Sequence, residues 1–146
     1  KETVGTDPER SVKYGMNEVA LINNTWFGAT DQHRASGGYT APSLRGVWAS
    51  APYFHNASVP TVEAVLDSTK RPKFFRVLGT SRADYDEQAV GLKVEVLTAA
   101  PTNPSRGDRA AVYDTTKVGL GNQGHLFGDA LTPAQRADVL AYLKTL

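Results

Sequence analysis

The chain has 146 residues, 40% hydrophobic and 21% charged, with 16 Lys and Arg against 15 Asp and Glu for a net charge of +1. That length fits one domain able to bury roughly 70% of its unfolded surface, and without a concentrated basic patch it excludes a general nucleic-acid or membrane-surface role. With 0 Cys, disulfides, thiolate metal sites and a Cys nucleophile are excluded too.

No apolar stretch approaches the roughly 20 residues of a membrane span, so the chain reads as soluble with no membrane span. The 13 Gly and 8 Pro predict a turn-rich globular chain with much loop. It opens "KETVGTDPER" without an initiator Met, as expected of a processed product or a piece of a longer protein.

Near the start, Asp7 as N-cap and Pro8 at the first helical position predict a helix over Pro8–Tyr14. Next comes "GGYTAPSLRGVWASAPYFHN", which gathers Tyr39, Arg45, Trp48 and Tyr53 in one window. Aromatics with a single Arg suit a flat, apolar ligand bearing carboxylates, which a guanidinium binds bidentately. An aromatic-rich core loop with Arg45 in a salt bridge explains the same residues.

A short helix is predicted at Thr61 to Asp67, with Val62, Val65 and Leu66 inward and Ser58 or Thr61 as cap. Between Lys73 and Thr98 the runs "KFFRVLG" and "VGLKVEVLT" suit strands, the second alternating Leu92, Val94 and Val96 against Lys93, Glu95 and Leu97. "AAPTNPSRGDR" reads as loop because its two prolines bar a ladder or a helix. At the end, Thr132, Pro133 and Gln135 form a capping-box start, and Val139, Leu140, Leu143 and Leu146 give a buried stripe. These elements predict one domain over 1–146, mainly α and loop-rich, with a small β insertion before the last helix.

The three histidines are too far apart for a local metal pair, and no P-loop, nucleotide fingerprint or nucleophile elbow is present. His125 sits in "VGLGNQGHLFGDALTP", where glycines let the backbone turn sharply and approach a large flat partner. A neutral imidazole there can ligate iron if its second nitrogen is fixed, and a loop His bonded to a backbone carbonyl is the plainer reading. His55 follows an aromatic wall and reads equally as a satisfied core residue, while His33 has polar neighbours and is expected at the surface.

"PSLRGVWASAPYFHNASVPTVEAVLD" closely resembles the Leu-Arg, Ala-Pro-Tyr-Phe/Met-His segment of the diheme cytochrome c peroxidase superfamily. "GTDPER", "KRPKFFRV", "YDEQAVGL", "VYDTTKVGLGNQGHLFG" and "LAYLKTL" look like the C-terminal part of the rubber-oxygenase-like diheme cytochromes, in order along nearly the whole chain.

The resemblance implies a mainly α cytochrome c-like domain lacking its haem-attachment helix. Its final helix would pack across an N-terminal haem-bearing helix. The Cys-x-x-Cys-His motif that carries haem c in that family is missing, so either covalent attachment falls on an upstream segment or chain of the same protein, or this piece carries no haem.

The position where the peroxidases place a Met ligand falls on Thr69, a poor iron ligand. At "GNQGHLFG" the resemblance points instead to His125 as the distal iron ligand, and it implies Arg45 as a propionate partner. Trp48, Tyr53, His55, Leu126 and Phe127 would lie along the haem, with Tyr53 and His55 in supporting roles.

The implied function is the electron-transfer portion of a periplasmic or secreted diheme oxidoreductase, peroxidase-like or rubber-oxygenase-like. The fragment is not expected to catalyse alone, and its partners would be a redox protein or a small-molecule substrate. A cofactor-free structural or protein-binding module of the same shape is the alternative, and an unrelated His-metal enzyme a third reading.

Overall fold

The computed structural model describes residues 5–9, 17–31, 33–34, 39 and 41–146. Among the described residues the helices are α1 (Asn17–Asn23), α2 (Trp26–Thr30), α3 (Val62–Leu66), α4 (Arg106–Ala111) and α5 (Pro133–Leu143), apart from a helical residue at Glu9. The strands among the described residues are β1 (Phe74–Val77), β2 (Tyr85–Asp86), β3 (Gly91–Leu92), β4 (Val94–Leu97) and β5 (Val112–Asp114). The helix expected at Pro8–Tyr14 lies outside the described residues beyond Glu9, although the Asp7 carboxylate accepts from the Glu9 N–H at 3.0 Å as an N-cap does.

Local chemistry sets the helix ends. Thr61 Oγ1 accepts from the Ala64 N–H at 3.2 Å and starts α3, while Thr132 and Gln135 exchange the two bonds of a capping box at the head of α5, with Pro133 in the first turn. α4 was missed by the loop reading of Ala99–Arg109. Its two prolines precede the helix, and Ser105 and Asp108 form the capping box that begins it after them.

The mainly α expectation is overturned. Helical residues make up 38% of the described chain and strands 14%, the strands in two small sheets, so the architecture is mixed α/β. β1 runs antiparallel between β4 and β5, with Phe75 opposite Val96 on one side and Tyr113 on the other; β2 and β3 form a separate ribbon. Pairing non-local strands satisfies backbone groups that short loops could not satisfy alone. The run "VGLKVEVLT" therefore divides between the two sheets at Lys93, whose N–H donates to the Asp84 carbonyl at 2.8 Å. Its expected alternation fails at Val96, exposed because β4 is an edge strand.

The core gathers Tyr53, Val59, Val62, Ala64 and Val90, with Leu140 and Leu143 of α5 packed against it. No residue of α5 is fully buried, so the expected stripe is only half covered. Above the end of α3 runs a 3-10 turn at Leu126–Ala130, and a Cβ on Gly128 would stand 2.2 Å from the Leu66 carbonyl oxygen. Backbone cannot yield there as a flexible side chain would. Gly128→Ala is therefore expected to lose about 3 kcal/mol, the upper end of the overpacking range, read as a lower denaturation midpoint.

Candidate functional site

The stretch Tyr53–Val59 folds back on itself. Tyr53 N–H donates to Val59 O at 2.7 Å and Val59 N–H to Tyr53 O at 3.3 Å, while Phe54 (φ 66°) and Ala57 (φ 62°) take left-handed conformations. Non-glycine residues in that region carry about 1–3 kcal/mol of strain each, tolerated where surrounding contacts over-determine the backbone.

Asn56 supplies several such contacts. Its Nδ2 donates to Gly119 O at 3.2 Å and Gly121 O at 2.8 Å, its Oδ1 accepts from the Ser58 N–H at 3.3 Å, and its carbonyl accepts the Tyr113 hydroxyl. Burial first, then Asp7, pushes the Tyr113 hydroxyl up to about 12, so it stays a neutral donor.

The glycine loop is gripped from two further directions. Buried Asp7 accepts from the Gly121 N–H at 3.0 Å and is itself joined to Tyr39, whose hydroxyl donates to the Asp7 carbonyl at 2.9 Å. From the chain that follows α3, Arg71 donates to Asn122 O, Gly124 O and His125 O, and Asn122 Nδ2 donates to Pro72 O at 3.0 Å.

This loop presents His125, also left-handed at φ 51°, with its ring 4.5 Å from the Phe54 ring. Burial, then the Arg71 charge, then the His55 imidazole hold the His125 pKa below its ordinary value. The imidazole is therefore kept neutral near pH 7, the form that coordinates metal. His55 stacks on Tyr39 at 4.2 Å.

Leu126 and Phe127 follow His125 directly and are 56% and 64% exposed, forming an apolar shoulder beside the imidazole. Tyr53 lies instead in the core, its hydroxyl donating to Val47 O at 3.0 Å, with burial as the main cause of a pKa raised far above the usual tyrosine range. Arg45 and Trp48 are exposed around the 3-10 turn Val47–Ala49; Trp48 is fixed through its carbonyl, which accepts the Tyr85 hydroxyl. Thr69 bonds to Asp67 Oδ1 at 2.6 Å, and His33 is exposed.

The residues brought together are thus Phe54, His55, Tyr39 and His125, with Arg71, Asn56 and Asp7 behind them. None of the last three is marked as a site residue by the sequence. Arg71 and Asn56 act mainly on backbone carbonyls, which leave no side-chain spacing to read, and only Asp7 carried a cap signal. Among the described residues, no group of three or more His, Cys, Asp or Glu is gathered where it could hold a metal ion.

Aromatic rings, an imidazole and exposed apolar residues thus meet at a glycine loop. Residues 38–76 match the family model described as RoxA-like, cytochrome c-like, and over that segment the chain is similar to cytochrome c-related proteins of the RoxA-like kind. The resemblance read from the sequence holds there, and a cytochrome-related role goes with it.

The chain is also 36% identical over 118 residues to the uncharacterized protein y4iJ of Sinorhizobium fredii, covering 74% of this chain and 18% of that protein. It is 36% identical over 91 residues to the uncharacterized protein y4iM of the same organism, covering 60% and 19%. The chain spans less than a fifth of the length of these curated relatives. Among the described residues, no helix is long and apolar enough to cross a membrane.

Proposed function

We propose that this chain forms the ligand-bearing wall of a c-type haem domain in a periplasmic or secreted diheme oxidoreductase, peroxidase-like or rubber-oxygenase-like. The haem would be attached through a Cys-x-x-Cys-His segment outside this chain. The observation that carries the reading is His125: a half-buried imidazole kept neutral, set against Phe54 and followed by the exposed Leu126 and Phe127. Those residues fit the apolar edge and nitrogen donor that a haem requires.

The half-covered α5 supports the same reading, since none of its residues is fully buried against the described chain. When bound, the haem supplies one-electron chemistry. His125 would hold the iron, Arg45 would pair with a propionate, Trp48, Leu126 and Phe127 would exclude water from the edge, and Tyr53 and His55 would support the wall. An imidazole-ligated iron suits electron transfer, so the substrate would be set elsewhere in the longer protein.

In the full-length, haem-loaded protein, His125→Ala is expected to convert a low-spin, six-coordinate spectrum to a high-spin one, and added imidazole to restore it. An unchanged Soret band and spin state would overturn His125 as ligand. A second reading, a cofactor-free binding module, draws on Tyr53, whose ring is spent in the core with its hydroxyl on Val47. It expects the natural full-length protein to give no pyridine haemochrome.

A further inference from the structure

Arg71 follows the 3-10 turn Ser68–Lys70 in a part of the chain with no role above beyond gripping the glycine loop. Its Nε donates to Ala64 O at 2.9 Å and its Nη2 to Val65 O at 3.1 Å, both carbonyls in the last turn of α3. The other Nη2 proton goes to His125 O at 3.1 Å, and Nη1 reaches Asn122 O at 3.0 Å and Gly124 O at 2.7 Å.

A guanidinium has five N–H donors in a planar fork, and here five carbonyl oxygens accept from it. The same group lies over the Phe54 ring, 5.0 Å from its centroid, and that ring contacts the His125 ring. Helix-end carbonyls normally turn to water or to a cap. These accept from Arg71, which donates as well to the carbonyls of the loop that presents the imidazole.

We propose that Arg71 is a positioning residue that fixes His125 for its ligand, by tying the His125 backbone to the end of α3 and holding the Phe54 ring against the imidazole. This rests on the reading of His125 as iron ligand for its spectroscopic consequence, though not for the fixing itself. With all five donors engaged by backbone, Arg71 does not serve as an anion or propionate binder, a role left to Arg45. Lysine cannot replace it, because an ammonium has three donors on a flexible stem and cannot span both segments in a plane.

The test uses full-length, haem-loaded protein carrying Arg71→Lys, which keeps the charge. The variant is expected to keep its far-UV dichroism and haem content, while its low-spin fraction falls at least threefold and free imidazole binds iron at least tenfold more tightly. A haem-independent readout accompanies it: with Phe and His selectively labelled, the Phe54–His125 through-space contact is expected in the parent and lost in Arg71→Lys. An unchanged spin state together with a retained contact overturns the proposal.

A lost contact with an unchanged spin state, repeated by His125→Ala, supports Arg71 as the positioning residue and sinks instead the assignment of His125 to iron. Should Arg71→Lys not fold, the parent protein decides with labelled Arg. Five bonds require separately resolved, slowly rotating Arg71 Nη protons with contacts to His125, and a freely rotating guanidinium overturns the proposal.

Discussion

Phe75→Ala is expected to cost about 3–5 kcal/mol, the range for emptying a fully buried phenylalanine site. Phe75 is 1% exposed in the central strand of the three-stranded sheet, and its ring stacks on Tyr113 at 5.1 Å and 9°. Part of the loss is transfer free energy of the ring. Part is the cavity, which a strand held on both edges cannot collapse to fill, and about 0.5–1.5 kcal/mol is the ring pair itself.

The effect reaches the site, because the Tyr113 hydroxyl donates to the Asn56 carbonyl and its ring is steadied by Phe75. Phe75→Leu, which refills most of the space, is expected to recover more than half the loss. Equilibrium urea denaturation of both variants checks this. An alanine variant within about 1 kcal/mol of the parent would show that the sheet does not support the Asn56 turn as described.

Asn56→Ala is expected to cost about 2–4 kcal/mol, because it strands several backbone groups at once. The carbonyls of Gly119 and Gly121 lose their donor, and the Ser58 N–H loses its acceptor. An unmade bond at a partly buried group costs about 1–3 kcal/mol, with water recovering some of it here.

Asn56→Asp makes the sharper comparison. It keeps the shape and the acceptor for Ser58 but turns a carboxylate oxygen toward two carbonyl oxygens, so it is expected to be at least as destabilising as alanine near pH 7. It should improve when the carboxyl is protonated below about pH 4. Denaturation midpoints of the two variants at both pH values decide it, and an aspartate variant as stable as the parent at pH 7 would sink the assigned orientation of the amide.

Both substitutions concern contacts that a reading of the sequence did not single out. The starts of α3 and α5 were legible because a cap, a proline at the first turn and a capping box act within four residues of each other. The capping box of Ser105 and Asp108 was legible on the same grounds but was hidden by Pro101 and Pro104 just before it. The Phe75 strand was visible as a strand, yet its neighbour β5 comes from beyond the proline loop, and pairing over that distance leaves no local mark.

The site divides in the same way. Sequence alone marked His125 among its glycines, the aromatic turn around Tyr53 and His55, and the cytochrome resemblance, because residue type and order carry those. It could not tell that Tyr53 belongs to the core, while Phe54, a left-handed residue, is the ring that meets His125. Nor could it show Arg71, Asn56 and Asp7 converging on one loop, since most of their partners are backbone groups more than fifty residues away. Carbonyls and amides are the same at every position, so only the tertiary structure decides which of them a buried side chain finds.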